Sequence, residues 1–575
     1  MAIKMNFASS VMFLLLLGNV HSNDWTLTIL HTNDVHSRIE EADAFGSSCS
    51  SSPCFGGMAR IRTAVQSIRD SNENVLFLDG GDQFQGTLWF VFYRGEAVTH
   101  FMNLLEYDAM ALGNHEFDNG VEGLAPFLQN ASFPVLSANI DASEEPLIDG
   151  YYDPSTILEV NGREIGVVGY TTTETPEIVN PDGIENLVFE DEIAKIQEQV
   201  DLLRGQGVKT IIALGHAGFS KDREIAREVV DVDLVIGGHT NTFLYNGEPP
   251  STEVSEGPYP TVETQASGKE VPVIQAYTNG KYLGLLNLTI NEDGQVTSWN
   301  GNPILLDENI AQDPDVLAEV QEWAEPLANL TQMVAGNSLV LLEGIKEVCR
   351  SFECNMGNMV TDAMVNFYLS RHDESSSAWA NTAVGIWNGG GIRTSIMQGE
   401  FTVADILAVL PFRNTIERIE IPGSTLKQMF EHSVRRYGSD DPGGEFLQFS
   451  GMKVTFNIER EPWDRVVDIQ VLCANCTVPK YEAWHEDQVY AVLVSDFLLS
   501  GGDGYSFVIE QVLSRDSYGD VLSDVVFGYT LKFSPIYSAV EGRVNFDESG
   551  NAAADLSPRQ IILYIFAFLS VYLTL

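Results

Sequence analysis

Five short stretches of this chain end in side chains that can bind a metal ion. Ile29-Leu30-His31-Thr32-Asn33-Asp34-Val35-His36 closes on Asp34 and His36 in the spacing D-x-H. Val75 to Asp82 ends Asp79-Gly80-Gly81-Asp82, and Met110 to Asp118 contains Gly113-Asn114-His115-Glu116-Phe117-Asp118. Ile211 to His216 ends in Gly-His, and Leu234 to His239 ends in Gly-Gly-His. One D-x-H pair is common on a surface loop, and one strand-end histidine is usually a satisfied structural residue. Asp, His, Asp, Asn, His and His recurring at five such ends are hard to explain without a metal. Imidazoles, carboxylates and amide oxygens together suit Zn²⁺, Mn²⁺ or Co²⁺ better than Ca²⁺. The set contains no cysteine, which argues against a closed structural zinc site. Two metals roughly 3.5–4 Å apart can activate a water and clamp a phosphoryl group.

The elements that must position these groups are written in the same stretches. Each begins as a short apolar run that reads as a buried strand. Each then turns at a residue placed where open α/β sheets carry their chemistry, the carboxyl ends of the strands. The glycines permit a sharp turn and a close approach to a ligand. Gly57 to Ser67 and Asp191 to Leu203 read as helices, and Ile165 to Gly169 and Thr210 to Leu214 as buried strands, so the first part alternates strand and helix. Pro249-Pro250 through Gly268 reads as a loop. Asp313 to Val334, rich in Glu, Ala and Leu, reads as one long amphipathic helix. At 575 residues the chain is too long for one core, and two domains are expected. Gly389-Gly390-Gly391 is no P-loop, because Lys-Ser/Thr does not come after it.

LHTNDVHS, LDGGDQFQGT, LGNHEFD, LGHAG and GGHTNTF resemble the calcineurin-like metallophosphoesterase domain of the 5′-nucleotidase family. NGGGIR, LPF and GGDGY carry the resemblance through the second half. It implies an α/β fold in two domains. A four-layer α/β/β/α metallophosphoesterase domain would span 23–311, and a mixed α/β nucleotide-binding domain 336–547. A linker helix over 312–335 would join them. It implies two divalent ions, zinc first with manganese or cobalt open. Asp34, His36, Asp82 and Asn241 would hold one, and Asp82, Asn114, His216 and His239 the other, with Asp82 bridging. His115 would donate to the phosphoryl oxygens, oriented by Asp118; support of the neighbouring ligands is its blander role. In the second domain, Arg350, Asn388, Arg393, Phe412, Phe497 and Asp503 would hold a nucleotide. The two phenylalanines would sandwich the base, Asp503 would take ribose hydroxyls, and the arginines would meet phosphate. The physics agrees, since bases stack on aromatic rings and guanidinium forks onto phosphate oxygens.

The resemblance favours hydrolysis of nucleoside 5′-monophosphates, AMP first. One departure is Arg413-Asn414-Thr415 after Pro411-Phe412, where vertebrate members have glycines. A cation there leaves an apyrase acting on ATP and ADP open. A catalytically silent binding protein on the same fold is the third reading, opposed by the full ligand set. The cysteines lie in near-neighbour pairs, Cys49 with Cys54, Cys349 with Cys354 and Cys473 with Cys476. Neighbour disulfides are the simplest pairing and the family's own. Homodimerisation through the second domain is also a family expectation.

The formal net charge of −49 argues against a nucleic-acid polymer as partner, which needs basic surface. An anionic substrate must therefore be received by a local cluster of metal and arginine. Residues 1–22 read as a signal peptide, with Lys4, an apolar Val11–Leu17 and a small-residue cleavage site. Asn130, Asn287, Asn329 and Asn475 each head an N-x-S/T triplet, as a secreted chain allows. The small-residue stretch from Ser549, the polar spacer and the apolar Ile561–Leu575 match a glycolipid-anchor signal over 548–575. Asn551 is the first choice of attachment residue and Ser549 the second. A tail-anchored helix is the alternative. The cell surface is the expected location, with shedding or secretion also open.

Overall fold

Alternation within three strands sets the architecture of the first half. In the strand Trp25–Thr32, Leu27 and Ile29 enter one apolar cluster while Leu30 enters another. In Val75–Asp79, Leu76 and Leu78 join the first and Phe77 the second. In Thr210–His216, Ile212 and Leu214 face that shared cluster, and Ile211 and Ala213 a third. Successive side chains of a strand point to opposite faces, so each of these strands lies in a sheet buried on both sides. Each such leucine, isoleucine or phenylalanine contributes roughly 1.5–3 kcal/mol on burial, which makes the strands a stiff base for the loops at their carboxyl ends.

The computed structural model describes residues 25–547 apart from 45, 48, 50–52, 180–182, 371–377 and 440–441. The expected signal peptide and the anchor signal with Ser549 and Asn551 lie outside the described residues.

Two sheets share the central cluster. The first has seven strands and runs Val296–Gly301, Tyr282–Ile290, Trp25–Thr32, Val75–Asp79, Ala109–Ala111, Val135–Leu136, with Ile304–Leu305 pairing beside Tyr282. The last four in that order are parallel. The second has six and runs Thr261–Thr264, Glu270–Ile274, Leu234–Ile236, Thr210–His216, Arg163–Thr171, Ser155–Val160. Its four inner strands are parallel too. Helices Met58–Ser71, Gly95–Leu105 and Gly120–Asn130 cover the outer face of the first sheet, and Glu192–Gly205 and Phe219–Glu228 that of the second. The result is the expected α/β/β/α order of layers.

The second half holds a five-stranded sheet, in the order Leu447–Ser450, Val384–Asn388, Val489–Ser495, Thr415–Pro422, Ser514–Val521. A four-stranded sheet accompanies it, with helices Asn355–Leu369, Gly423–Ser433 and Leu522–Phe533. All six cysteines form the near-neighbour disulfides.

Two expectations need correction. Asp313 to Val334 is not one helix. Asp313 caps Pro314–Ala324, its side chain accepting from the Asp315 and Val316 amides at 3.0 Å. The chain then tightens into a 3₁₀ turn at Glu325–Leu327, makes one further turn at Ala328–Thr331 and enters the strand Val334–Ser338. Pro326 is the physical reason, because it has no N–H to continue the helix ladder. Val316, Val320 and Leu327 are buried in the helical layer of the first half, and Ala404 and Leu407 of the second half join them there. The segment Pro249 to Gly268 is also not all loop, since it contains the edge strand Thr261–Thr264. Among the described residues no helix is long and apolar enough to cross a membrane.

Candidate active site

The metal-binding candidates converge where the parallel strands of both sheets end. The loops are tied by main-chain bonds: Asp34 N to Gly81 O at 2.9 Å, His36 N to Asp82 O at 3.0 Å and Ser37 N to Gln83 O at 2.9 Å. Asp34, His36, Asp82, His239 and Asn241 all have positive φ, of 51°, 52°, 59°, 77° and 55°. Non-glycine residues adopt this region at a cost, and such strain gathers at functional sites.

The hydrogen bonds leave inward-facing atoms over. Asp34 Oδ2 accepts from Asn33 Nδ2 at 2.7 Å and from His239 N at 3.0 Å. Its Oδ1 is buried without a hydrogen-bond partner, 3.8 Å from His216 Nε2 and 4.0 Å from His36 Nε2. His216 Nδ1 pairs with Gly80 O at 2.7 Å and His36 Nδ1 with Phe84 O at 3.1 Å, so both rings turn Nε2 to the centre. His239 Nδ1 pairs with Asn114 Oδ1 at 2.9 Å. His216 Nε2 lies 2.9 Å from Asp82 Oδ2 without hydrogen-bond geometry. Asn241 Oδ1 is buried and unpartnered. Backbone carbonyls on the far nitrogens are the usual way to aim ligating imidazoles.

Electrostatics point the same way. Burial opposes a charge on His216, yet Asp82 and Asp34 outweigh it and raise the imidazole to about 10. Burial pushes the Asp82 carboxyl up, but His216, His115 and His36 hold it well below the usual carboxylate range. Burial first and the Arg393 charge second push His36 well down, towards a neutral imidazole. Buried carboxylates that hold a proton on His216, with an orphaned Asp34 oxygen beside them, call for positive charge, and the donors here fit divalent ions. His36, Asp82 and His115 present ligand atoms to one another, and Asp82, His216 and His239 form a second such group. The shared member is Asp82.

His115 comes after the strand Ala109–Ala111 on a short turn, His115–Phe117. Its Nδ1 pairs with Asp118 Oδ2 at 2.8 Å, and Gln85 Nε2 donates to the same oxygen at 3.0 Å. Its Nε2 lies 4.0 Å from Asp82 Oδ2.

The second half reaches this centre directly. Arg393 Nη2 lies 3.3 Å from His36 Nε2. The Phe412 ring stacks on His115 with centroids 5.8 Å apart, and the Arg393 guanidinium lies over the same phenylalanine at 5.6 Å. Arg350, beside the Cys349–Cys354 disulfide, has a buried Nε without a partner. Asn388 Nδ2 donates to Asp503 Oδ2 at 2.7 Å, and burial followed by the Glu445 charge pushes that carboxyl up to about 7. The Phe497 ring packs on Gly502, where any Cβ would run into it. Thus Arg393 and Phe412 join the metal-binding candidates, while Asn388, Phe497 and Asp503 form a neighbouring group. Among the described residues no ring contact joins Phe412 to Phe497.

Further contacts cross between the halves. Ser47 Oγ meets Thr394 Oγ1 at 3.0 Å and donates to Ser395 O at 2.7 Å. Arg436 pairs with Glu174 at 3.2 Å, and Lys346 Nζ donates to Thr240 O. Arg413 is exposed, with φ of 57°. Of the candidate glycan acceptors, Asn130 and Asn475 are exposed. Asn287 lies within the strand Tyr282–Ile290, its amide oxygen accepting from Thr28 Oγ1 at 2.8 Å.

Sequence reasoning missed Arg38 and Glu116. Arg38 is 5% exposed and donates to His36 O at 2.8 Å and Gly46 O at 3.1 Å. Burial and then the Arg393 charge bring it down to about 9. Its one signal was position, a cation two residues beyond His36 in a strongly acidic chain.

Residues 27–243 match the family described as calcineurin-like phosphoesterase, and residues 334–510 the 5′-nucleotidase C-terminal domain. The chain is 50% identical to the 5′-nucleotidase of Bos taurus over 541 residues, 93% of each. It is 46% identical to the snake venom 5′-nucleotidase of Naja atra, covering 90% of this chain and 98% of that one. The crystal structure of a 5′-nucleotidase precursor from Thermus thermophilus superposes with a TM-score of 0.84 at 36% identity, covering 92% of this chain and all of that one. With the layered fold, the convergent donors and these likenesses together, the chain belongs to the 5′-nucleotidase family: a metal-dependent phosphomonoester hydrolase whose calcineurin-like domain takes two divalent ions.

Proposed function

We propose that this protein hydrolyses nucleoside 5′-monophosphates, AMP first, to nucleoside and phosphate at the cell surface. The observation that carries the reading is the meeting of Arg393 and Phe412 with His36 and His115, which brings a phosphate-binding cation and an aromatic ring to the metal-binding candidates. The residues that would hold the ions are Asp34, His36, Asp82 and Asn241 on one side and Asp82, Asn114, His216 and His239 on the other, with zinc as first choice. When bound, such a pair supplies activation of a water and a clamp on the phosphoryl group.

The chain's own residues do the rest. Phe412 and Phe497 hold the base by stacking, and Asp503, fixed by Asn388, takes the ribose hydroxyls. Arg350 and Arg393 receive the dianion on an otherwise acidic protein. Asp118 holds His115 Nδ1 and so orients the ring, whose Nε2, when the imidazole is protonated, donates to the phosphoryl oxygens as charge builds. The domain limits 23–311, 312–335 and 336–547 belong to this reading, as do glycans at Asn130, Asn287, Asn329 and Asn475. So do a lipid anchor at Asn551 and dimerisation through the second domain.

The deciding experiment is phosphate release from AMP, ADP, ATP and a cyclic nucleotide, side by side, with and without chelator. Chelator-sensitive release from AMP above all others is expected; no phosphate from AMP, with the cyclic nucleotide opened only to its monophosphate, refutes it. One observation favours the apyrase reading. Arg413 is exposed beside Phe412, close enough to depress the neighbouring Arg94 after burial has done so. If ADP and ATP are cleaved as fast as AMP, and Arg413→Gly abolishes that while sparing AMP, the apyrase reading replaces the first.

A further inference from the structure

Glu116 is wholly buried, and neither the metal-binding set nor the nucleotide group uses it. Its carboxylate is filled by four backbone amides. Oε2 accepts from Asp82 N at 3.0 Å and Gly113 N at 2.7 Å. Oε1 accepts from Gln83 N at 2.8 Å and Phe84 N at 3.0 Å. Three of those donors are consecutive residues of the loop that begins at Asp82. The fourth belongs to the strand end leading into Asn114. A fifth bond closes the same junction, from His115 N to Asp82 Oδ1 at 2.9 Å. Gly113 is fitted to this junction, since a Cβ there would lie 2.9 Å from Glu116 Oε2 and collide with Asp82.

One side of the loop is tied to the turn after Trp25–Thr32, through His36 N to Asp82 O and Ser37 N to Gln83 O, and Glu116 ties its other side to the turn that carries Asn114 and His115. Asp82 itself has positive φ, a costly backbone conformation that persists only where surrounding bonds hold it. A neutral acceptor could not replace the carboxylate. Glutamine has one carbonyl oxygen, and its amide would set N–H against two of the backbone donors. The turn 114–118 carries a candidate ligand, the candidate proton donor and its orienting carboxylate. Glu116 fastens that turn to the Asp82 loop, so it fixes the spacing between His115 and the shared carboxylate.

We infer that Glu116 is a positioning residue: its carboxyl group, filled by four backbone amides, is a clamp that holds the Asp82 loop in metal-binding geometry and in register with His115. This rests on the reading of Asp82 as the shared ligand. It makes a prediction distinct from a core-filling role, because a filler would affect stability without preference for metal loading or turnover.

The test uses the full chain, with Mn²⁺ as probe. Metal-free protein is titrated with Mn²⁺ and followed by paramagnetic resonance, comparing wild type, Glu116→Gln and Asp82→Asn. For Glu116→Gln the Mn²⁺ needed for half-loading is expected to rise about 10–100-fold, the usual cost of losing a residue that orients a ligand. At saturating Mn²⁺ its kcat for AMP is expected to fall at least tenfold, with KM within twofold of wild type. Mn²⁺ affinity and kcat both within twofold of wild type overturn the proposal, whatever the melting temperature does. Asp82→Asn binding Mn²⁺ as tightly as wild type overturns the shared-ligand reading and the clamp with it. If Glu116→Gln does not fold, amide exchange in the metal-free wild type decides. Slow exchange at residues 82–84 and 113 supports the clamp, and exchange at the rate of an open loop overturns it.

Discussion

Asp82 and His115 divide the work of the site between holding and reacting. Asp82 belongs to both convergent groups of ligand atoms, so loss of its charge touches both. Asp82→Asn should therefore leave the purified protein with metal content near zero and no activity; elemental analysis showing two ions per chain would remove Asp82 from the shared role. His115→Ala should keep the metals and lose turnover, by roughly 10² to 10⁴ in kcat, the worth of a positioned proton donor. A variant within threefold of wild type at full metal content would reduce His115 to support. Asp34, His36, Asp82, His216 and His239 were legible because each stands at a strand end where an apolar run gives way to a metal-binding side chain. Glu116 was not. It reads as an ordinary acid in LGNHEFD, and its meaning lies mainly in bonds to three amides of the Asp82 loop, more than thirty residues earlier in the chain. Arg38 escaped for a similar reason: burial is invisible in a residue type that is usually solvated.

At the scale of elements, the strands were the most readable part. Short apolar runs leading into metal-binding side chains identified Trp25–Thr32, Val75–Asp79 and Thr210–His216 to within a few residues. The linker was misread because its apolar periodicity continues across Pro326, while its backbone cannot. Periodicity reports which face packs, and both pieces do bury that face. The second domain was less legible, since Phe412 and Phe497 look like core residues until their neighbours are known. Phe497 stands out through Gly502, which admits its ring only because it has no side chain. Phe497→Ala should raise KM for AMP by a stacking loss of roughly 1–3 kcal/mol, leaving kcat near wild type. Steady-state kinetics check this, and an unchanged KM would take Phe497 out of base binding.

At the scale of the whole molecule, composition was informative about surroundings and silent about assembly. The charge of −49 argued against polyanion binding and called for a local cationic receiver; burial and then Arg393 lower Arg38, and burial and then Arg350 lower Arg393. No pattern in the sequence foretold the Ser47–Thr394, Glu174–Arg436 and Thr240–Lys346 contacts, because each joins residues more than a hundred positions apart. The proposed lipid anchor makes its own prediction. A phosphatidylinositol-specific phospholipase should release active enzyme from intact cells. Activity that stays on the membrane while a control anchored protein is released would favour a tail helix.

The approach of Arg393 and Phe412 to His36 and His115 has a consequence for how a turnover ends. A nucleotide bound as proposed is a bridge, with its base gripped by one lobe and its phosphate by both. While intact, it gains from bivalency: each end raises the effective concentration of the other at its own subsite. Hydrolysis cuts the bridge at the bond between the two grips. Nucleoside and phosphate are then separate monovalent ligands, each without the avidity that its other half had supplied. Every tenfold of avidity lost corresponds to about 1.4 kcal/mol. The reaction thus weakens the hold on its own products, and an uncleavable linkage at that position should bind far more tightly than nucleoside and phosphate added together.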